Sequence, residues 1–203
     1  MFASLGALPF ALPAPAFLIG SYDRNGRPNI MTAAWSGICC SRPPCIGVGI
    51  ARERWSHAAV QERRAFTISI PSAAMAAQAD AAGMRSGRDT DKFDLLGLTP
   101  VKGGLVDAPY VAECPAVLEL RLREQHELGT HTLFIGEVLD VKIREGCLDA
   151  EGRPDPALIS PLLYAPVSRN YWSLGEELGK GFSLGKEAAG LGSALIKTPP
   201  AKI

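Results

Sequence analysis

Short apolar runs broken by turn residues fill the first half of the chain. Phe17 to Tyr22 is apolar and ends at Asp23-Arg24-Asn25-Gly26-Arg27-Pro28, where Asn-Gly is a strong hairpin signal. The chain is expected to turn back there into a second strand, Asn29 to Cys40, which stops at Arg42-Pro43-Pro44. A third strand, Cys45 to Ala51, carries Gly47 and Gly49, and glycine inside a strand often marks a bulge or close approach by another group. Ser56 to Arg64 has the polar, charged and small residues of a surface helix, with Ser56 as its N-cap. Phe66 to Ile70 reads as a buried strand stopped by Pro71, and Ala73 to Ala82 as a helix ending near Gly83. Lys92 to Leu98 reads as one or two helical turns with a cap at Asp91.

The second half alternates. From Val117 to Arg123, Leu118, Leu120 and Leu122 fall on one face and Glu119, Arg121 and Arg123 on the other, the signature of a half-exposed strand. Thr132 to Lys142 places Leu133, Ile135, Leu139 and Val141 on one face with Glu137 as the charged intruder. Glu124 to Thr130 connects the two as a hairpin. Many closely spaced strands with few, brief helices predict a mainly β fold, a closed antiparallel barrel rather than a doubly wound parallel sheet. The pattern divides the chain into one domain over residues 1–173 and a glycine-rich tail over 174–203, flexible or laid over a partner subunit.

Composition narrows the function classes. The 203 residues carry 21 Lys and Arg against 21 Asp and Glu and are 47% hydrophobic, which excludes intrinsic disorder and removes the basic excess of a general nucleic-acid binder. Cys39, Cys40, Cys45, Cys114 and Cys147 lack the paired spacing of a zinc site or a thioredoxin-like couple, and point to a reducing, cytoplasmic setting. Met1 to Tyr22 lacks the basic start of a secretion signal and contains Pro9, Pro13 and Pro15, so it reads as an arm leading into a strand. No run is long enough for a membrane-spanning helix.

Three segments carry candidate chemistry. Asn29-Ile30-Met31-Thr32-Ala33-Ala34-Trp35-Ser36 places small side chains where a planar ligand can approach the backbone, although a plain barrel strand with Trp35 in the core has the same pattern. Arg52, Arg54, Ser56 and His57 stand where a strand runs into a helix, an arrangement suited to phosphate and also to a solvated turn. Ser86-Gly87-Arg88-Asp89-Thr90-Asp91-Lys92-Phe93 joins a glycine turn and hydroxyls to a lysine that would stabilise an anion, or is simply a hydrophilic loop. His126 and His131 lack further ligands for a metal, and Trp35-Ser36-Gly37 is not the GxSxG of a hydrolase.

Taken in order, these segments resemble the flavin reductase-like, flavoredoxin-type family of FMN-binding split-barrel proteins. The anchors are Asp23 to Asn29, Thr32-Ala33-Ala34-Trp35, Pro43-Pro44, Arg52 to His57, Phe66 to Pro71, Ser86-Gly87 with Asp91-Lys92-Phe93, Glu119 with His131, and Phe134-Ile135-Gly136-Glu137-Val138. The resemblance runs from about Phe10 to Trp172. It implies a Greek-key split β-barrel with a few short helices, a homodimer, and one FMN per subunit near the dimer interface. Met31, Thr32, Ala33, Ala34, Trp35 and Ser36 would line the isoalloxazine. Arg52, Ser56 and His57 would hold the phosphate, with Ala51 beside them, while Ser86, Gly87 and Lys92 close over the flavin and Glu137 faces the pocket. NADH or NADPH would supply hydride, and the acceptor would be free flavin, ferric iron or another protein. The alternative is a flavoredoxin-like FMN electron carrier without efficient NAD(P)H oxidation. Cys39, Cys40 and Cys45 depart from the family pattern; they read as small buried hydrophobes, with redox sensing by the vicinal pair as the other reading.

Overall fold

Asp23 makes the first turn. Its Oδ1 accepts from the Asn25 and Arg27 N–H groups at 2.9 Å, and Gly26 takes the left-handed conformation with φ +77°. The turn folds a strand preceded by a short bridge, β1 (Ala14–Pro15) and β2 (Phe17–Tyr22), against β3 (Pro28–Ala33), with a register running from Phe17 opposite Ala33 to Tyr22 opposite Pro28. In the computed structural model residues 1–185 are described. Residues 174–185 are exposed, and the rest of the predicted tail, 186–203, lies outside the described residues.

The predicted second strand is divided. The chain bends at Ala34-Trp35 and continues as β4 (Ser36–Ser41), which leaves β2 and pairs with β5 (Pro44–Ala51). Gly49 makes the bend possible: its N–H donates to the Trp35 carbonyl at 2.7 Å, and a Cβ on it would lie 3.1 Å from that of Trp35. After α1 (Trp55–Arg63) come β6 (Ala65–Ile70), α2 (Ala76–Met84), α3 (Lys92–Leu96), and the small pair β7 (Pro100–Lys102) and β8 (Pro109–Val111). The long hairpin β9 (Ala116–Leu128) and β10 (His131–Ile143), then α4 (Pro156–Ile159), β11 (Leu163–Ala165) and β12 (Asn170–Trp172), complete the order. Seven strands form one antiparallel sheet, β3-β2-β6-β9-β10-β5-β4, while β1, β11 and β12 form a second, three-stranded sheet. Because β3 and β4 are one run of chain at opposite ends of the large sheet, that run joins its ends and leaves a seam at the bend. This is the split barrel expected above.

Ile19, Met31, Val48, Ile50, Phe66, Ile68, Leu120 and Phe134 fill the barrel. The other faces of β2 and β3 are also buried: Leu18 and Ile30 pack with Ala79 and Ala82 of α2 and Phe93 of α3. Burial on both sides explains the continuous apolar run from Phe17, and it fixes the helices beside the seam.

Three expectations for the later strands are corrected. On β10 the interior face is Thr132, Phe134 and Gly136, not Leu133 and Ile135, which are half-buried on the outside; a Cβ at Gly136 would meet Phe66 Cζ at 2.5 Å. Bulges after Ile135 and Val138 shift the register further along. Glu119 is fully buried rather than solvated. The segment 103–108 folds over it, with the Gly104 and Leu105 N–H groups donating to its carboxylate at 3.0 and 2.6 Å and Lys142 Nζ at 2.5 Å. The β9–β10 connection is only Gly129-Thr130, because Glu124 to Leu128 continue β9 as an exposed arm along β10, whose other side pairs with β5.

Candidate functional site

Strand alternation at β3 distributes its side chains between two clefts. Asn29 and Met31 line one, while Thr32 and Ala34 line its neighbour, and Arg54 and Met84 border both. The Arg54 Nη1 donates to the Gly83 carbonyl at 3.0 Å, a bridge between them.

The first cleft lies between β3, the start of α1 and the segment from Arg85 to Lys92. Arg54 occupies the N-cap of α1 with extended backbone and no side-chain cap, and the first helical turn contains no acidic residue. The helix therefore presents N–H groups and the positive end of its dipole to the cleft. Arg54, Arg85 and Lys92 line it against one acid, Glu53. Two buried polar atoms on its walls, Asn29 Oδ1 and Trp55 Nε1, have no hydrogen-bond partner. Such atoms cost about 1–3 kcal/mol each when left unpaired, so a ligand offering both a donor and an acceptor would recover that cost. Gly87 is required here: a Cβ on it would fall on Asn29 Oδ1 and come within 2.8 Å of Trp55 Cδ1. The Arg27 Nη2 donates to the Gly87 carbonyl at 2.5 Å and holds the segment down.

Lys92 is only 3% exposed. Asp91 caps α3, accepting from the Phe93 and Asp94 N–H groups at 3.0 and 3.2 Å, and so sets the lysine's position. Its Nζ donates to the Ile30 and Ala82 carbonyls, both at 2.8 Å, which ties α3 to β3 and α2 and leaves one of three donors for the cleft. Burial, and then the Arg54 charge, bring its pKa down to about 8.

The predicted site residues are only partly brought together. Met31, Ser56, Ser86, Gly87 and Lys92 line the first cleft, and Thr32 and Ala34 the second. Ser56 is not the helix cap. It is a buried residue of the first turn, whose Oγ accepts from Asn29 Nδ2 at 2.8 Å. Thr32 Oγ1 donates to the Ala79 carbonyl. Ala33 points into the barrel core, Trp35 is 40% exposed, and Ser36 at the seam has a buried Oγ without a partner. Ala51 ends β5 opposite His131. Arg52 forms an ion pair with Glu127 on the exposed arm and lines neither cleft. His57 also turns away: its Nε2 lies 2.8 Å from Thr132 Oγ1, and its ring meets Phe134 edge-on at 5.1 Å. Burial keeps its pKa below the ordinary 6.5, opposed by Glu127 and helped by Arg52. Glu137 is on the outer barrel face, paired with Arg121 and Arg123 rather than facing either cleft.

Sequence reasoning missed Trp55, Met84 and Arg85 as cleft residues and included Asn29 only as the start of the small-residue strand. An asparagine opening a buried strand was the available signal, as was a tryptophan at a helix start beside Ser56. Among the described residues no group of three side chains could hold a metal ion, and no helix is long and apolar enough to cross a membrane.

The arrangement suits an anion in the first cleft and a planar group along the small residues at the seam. The flavoredoxin of Desulfovibrio vulgaris (Miyazaki F) is 54% identical and superposes with a TM-score of 0.88 over 92% of this chain and 100% of that one. An FMN-binding protein from Thermus thermophilus, solved with 1-cyclohex-2-enone, is 29% identical with a TM-score of 0.75, over 89% and 99% of the two chains. A ferric-chelate reductase (NAD(P)H) of Archaeoglobus fulgidus is 31% identical over 104 residues, which is 51% of this chain and 60% of its own length. The flavin reductase like domain matches residues 10–173, and the chain belongs to that family.

Proposed function

We propose that the protein binds FMN and acts as an NAD(P)H-dependent flavin reductase-like oxidoreductase, its split-barrel domain spanning residues 1–173. The observation that carries this reading is the cationic first cleft with its two unpartnered atoms, Asn29 Oδ1 and Trp55 Nε1, beside a seam of small residues. The α1 N-terminus, Arg54, Ser86 and Lys92 hold the phosphate there, and the Gly87 segment covers it. Thr32, Ala34 and Ser36 present peptide edges and hydroxyls to the ring system. When bound, FMN supplies a hydride acceptor that can pass electrons on singly or in pairs. The chain itself needs no acid–base pair: its residues bind, orient and exclude water. Trp35 at the bend is an exposed apolar side chain suited to contact between two copies of the chain in a cytoplasmic homodimer.

The likeness to the Desulfovibrio flavoredoxin favours a second reading, an electron carrier fed by a partner protein. Visible absorption of the purified protein titrated with FMN tests binding, and a protein that takes up no flavin at micromolar supply refutes both readings. Steady-state oxidation of NADH and NADPH separates them: a rate no greater than that of buffer with FMN alone leaves only the carrier.

A further inference from the structure

Three of the five cysteines gather on the β4–β5 hairpin, away from both clefts. Cys40 stands directly opposite Cys45, and a register slip between Ile38 and Cys40 makes Cys39 the extra residue of a bulge. Cys39 Sγ lies 4.0 Å from where a Cβ of Gly47 would stand. Gly47 is two residues along β5 from Cys45 and shares its face, so the Cys39 sulfur is on that face too. Cys39 and Cys40 are exposed, whereas Cys45 beneath them is 4% exposed.

The surroundings are cationic. Glu137 sits opposite Cys45 on β10, and its Oε2 takes Arg121 Nη2 at 3.1 Å and Arg123 Nη1 at 3.3 Å. Two guanidinium groups against one carboxylate leave an excess positive charge beside the thiols. Burial foremost, then Cys40 and Cys39, raise the Cys45 thiol above its ordinary value; Arg123 opposes them and Glu137 adds to them. Cys114 and Cys147 are buried in other parts of the fold.

We propose that Cys40 and Cys45 form a reversible dithiol that is oxidised by small anionic disulfides of the glutathione class. Directly opposed residues of an antiparallel pair hold their Cβ atoms about 4.5–5.5 Å apart. A disulfide needs about 3.5–4.5 Å, so side-chain rotation and an approach of about 1 Å bring the sulfurs together. The exposed Cys40 thiolate attacks one sulfur of the small disulfide, forming a mixed disulfide and expelling one small thiolate. Cys45 then gives its proton to solvent and attacks the Cys40 sulfur, closing the Cys40–Cys45 bond and expelling the second small thiolate. The protein loses two protons and two electrons, and the small disulfide becomes two thiols. Excess small thiol reverses both steps. Burial of Cys45 makes the second step the slower one near neutral pH, so the mixed disulfide on Cys40 is the species that accumulates first. Closure staples edge strand β4 to β5, and none of this depends on the flavin reading.

The test uses the full chain with oxidised glutathione, differential alkylation before and after reduction, and intact mass. Two of the five thiols should disappear, at Cys40 and Cys45 within a single chain, and return on reduction. Cys45→Ser should stop at one glutathione on Cys40, and Cys39→Ser should still close the bond. The proposal is overturned if all five thiols persist, if Cys39 supplies one of the bonded sulfurs, or if the bond joins two chains. The wild-type measurement needs no variant to fold.

Discussion

Raising the pH from 7 to 9 should weaken FMN binding about tenfold through a single residue, Lys92. Its pKa of about 8 lies inside this window, and the charged fraction falls from ~0.9 to ~0.1 between the two pH values. A phosphate monoester, with a second pKa of about 6, is already dianionic across the range. His57 lines neither cleft, and burial lowers its pKa, away from this window. If the dianion favours the charged ammonium, the ratio of those fractions sets the loss of affinity. The folded protein without ligand should respond in the opposite direction. The folded pKa of Lys92 lies below that of an unfolded lysine, so between about pH 8 and 10.5 the unfolded chain binds more protons and Lys92 adds stability as pH rises. Flavin fluorescence quenching at pH 7, 8 and 9, paired with urea denaturation, measures both. Lys92→Met should flatten the affinity profile while weakening binding at pH 7. An unchanged Kd from pH 7 to 9, or a slope that survives in Lys92→Met, refutes the assignment.

Two further predictions concern the frame around the site. Gly20→Ala would place a Cβ on the Pro109 carbonyl oxygen and on Thr67 Oγ1, so the β2–β8 contact must open; a loss of about 2–3 kcal/mol in urea denaturation is expected. Glu119→Gln weakens the contacts to Lys142, Gly104 and Leu105. Burial alone would raise the Glu119 carboxyl, but the Lys142 ammonium and the two N–H groups outweigh it and hold its pKa below 4.5. The carboxylate's contribution is therefore present above the unfolded pKa and is lost as pH falls through the folded one. The variant should be about 2 kcal/mol less stable at pH 7, with the gap narrowing as pH falls through the folded carboxyl's pKa, read from denaturant melts across the acid range.

The first hairpin was legible because Asp23 and Gly26 encode the turn through local hydrogen bonds and a left-handed residue, with no help from distant chain. The bend at Ala34-Trp35 was not. Small and β-forming residues run through it without a breaker, and the partner that causes it, Gly49, lies in another strand. Glu119 was misplaced for a related reason. Alternation assigns it the same face as Arg121 and Arg123, but only the tertiary fold brings residues 103–108 over one end of that face. In the candidate site, the Arg52-to-His57 segment reaches the first cleft, but its side chains divide among different surroundings. Position around a helix start decides whether a residue meets the cleft, the barrel or the β9–β10 arm: Arg52 meets the arm, Arg54 and Ser56 the cleft, and His57 the barrel. Lys92 stood out as a cation, but its anchoring to the Ile30 and Ala82 carbonyls depends on three elements meeting.

The bend between β3 and β4 gives the barrel an interruption that an uninterrupted cylinder would lack. Where neighbouring strands stay zipped, every peptide group is committed to its neighbour and nothing is left to greet a guest. Here the outer edges of β3 and β4 part with no further strand of the large sheet beside them, and the peptide groups along those edges lie outside its ladder while the surrounding wall stays zipped. Docking capacity is thus written into the topology itself, and loops around the opening can change their chemistry without rebuilding the scaffold.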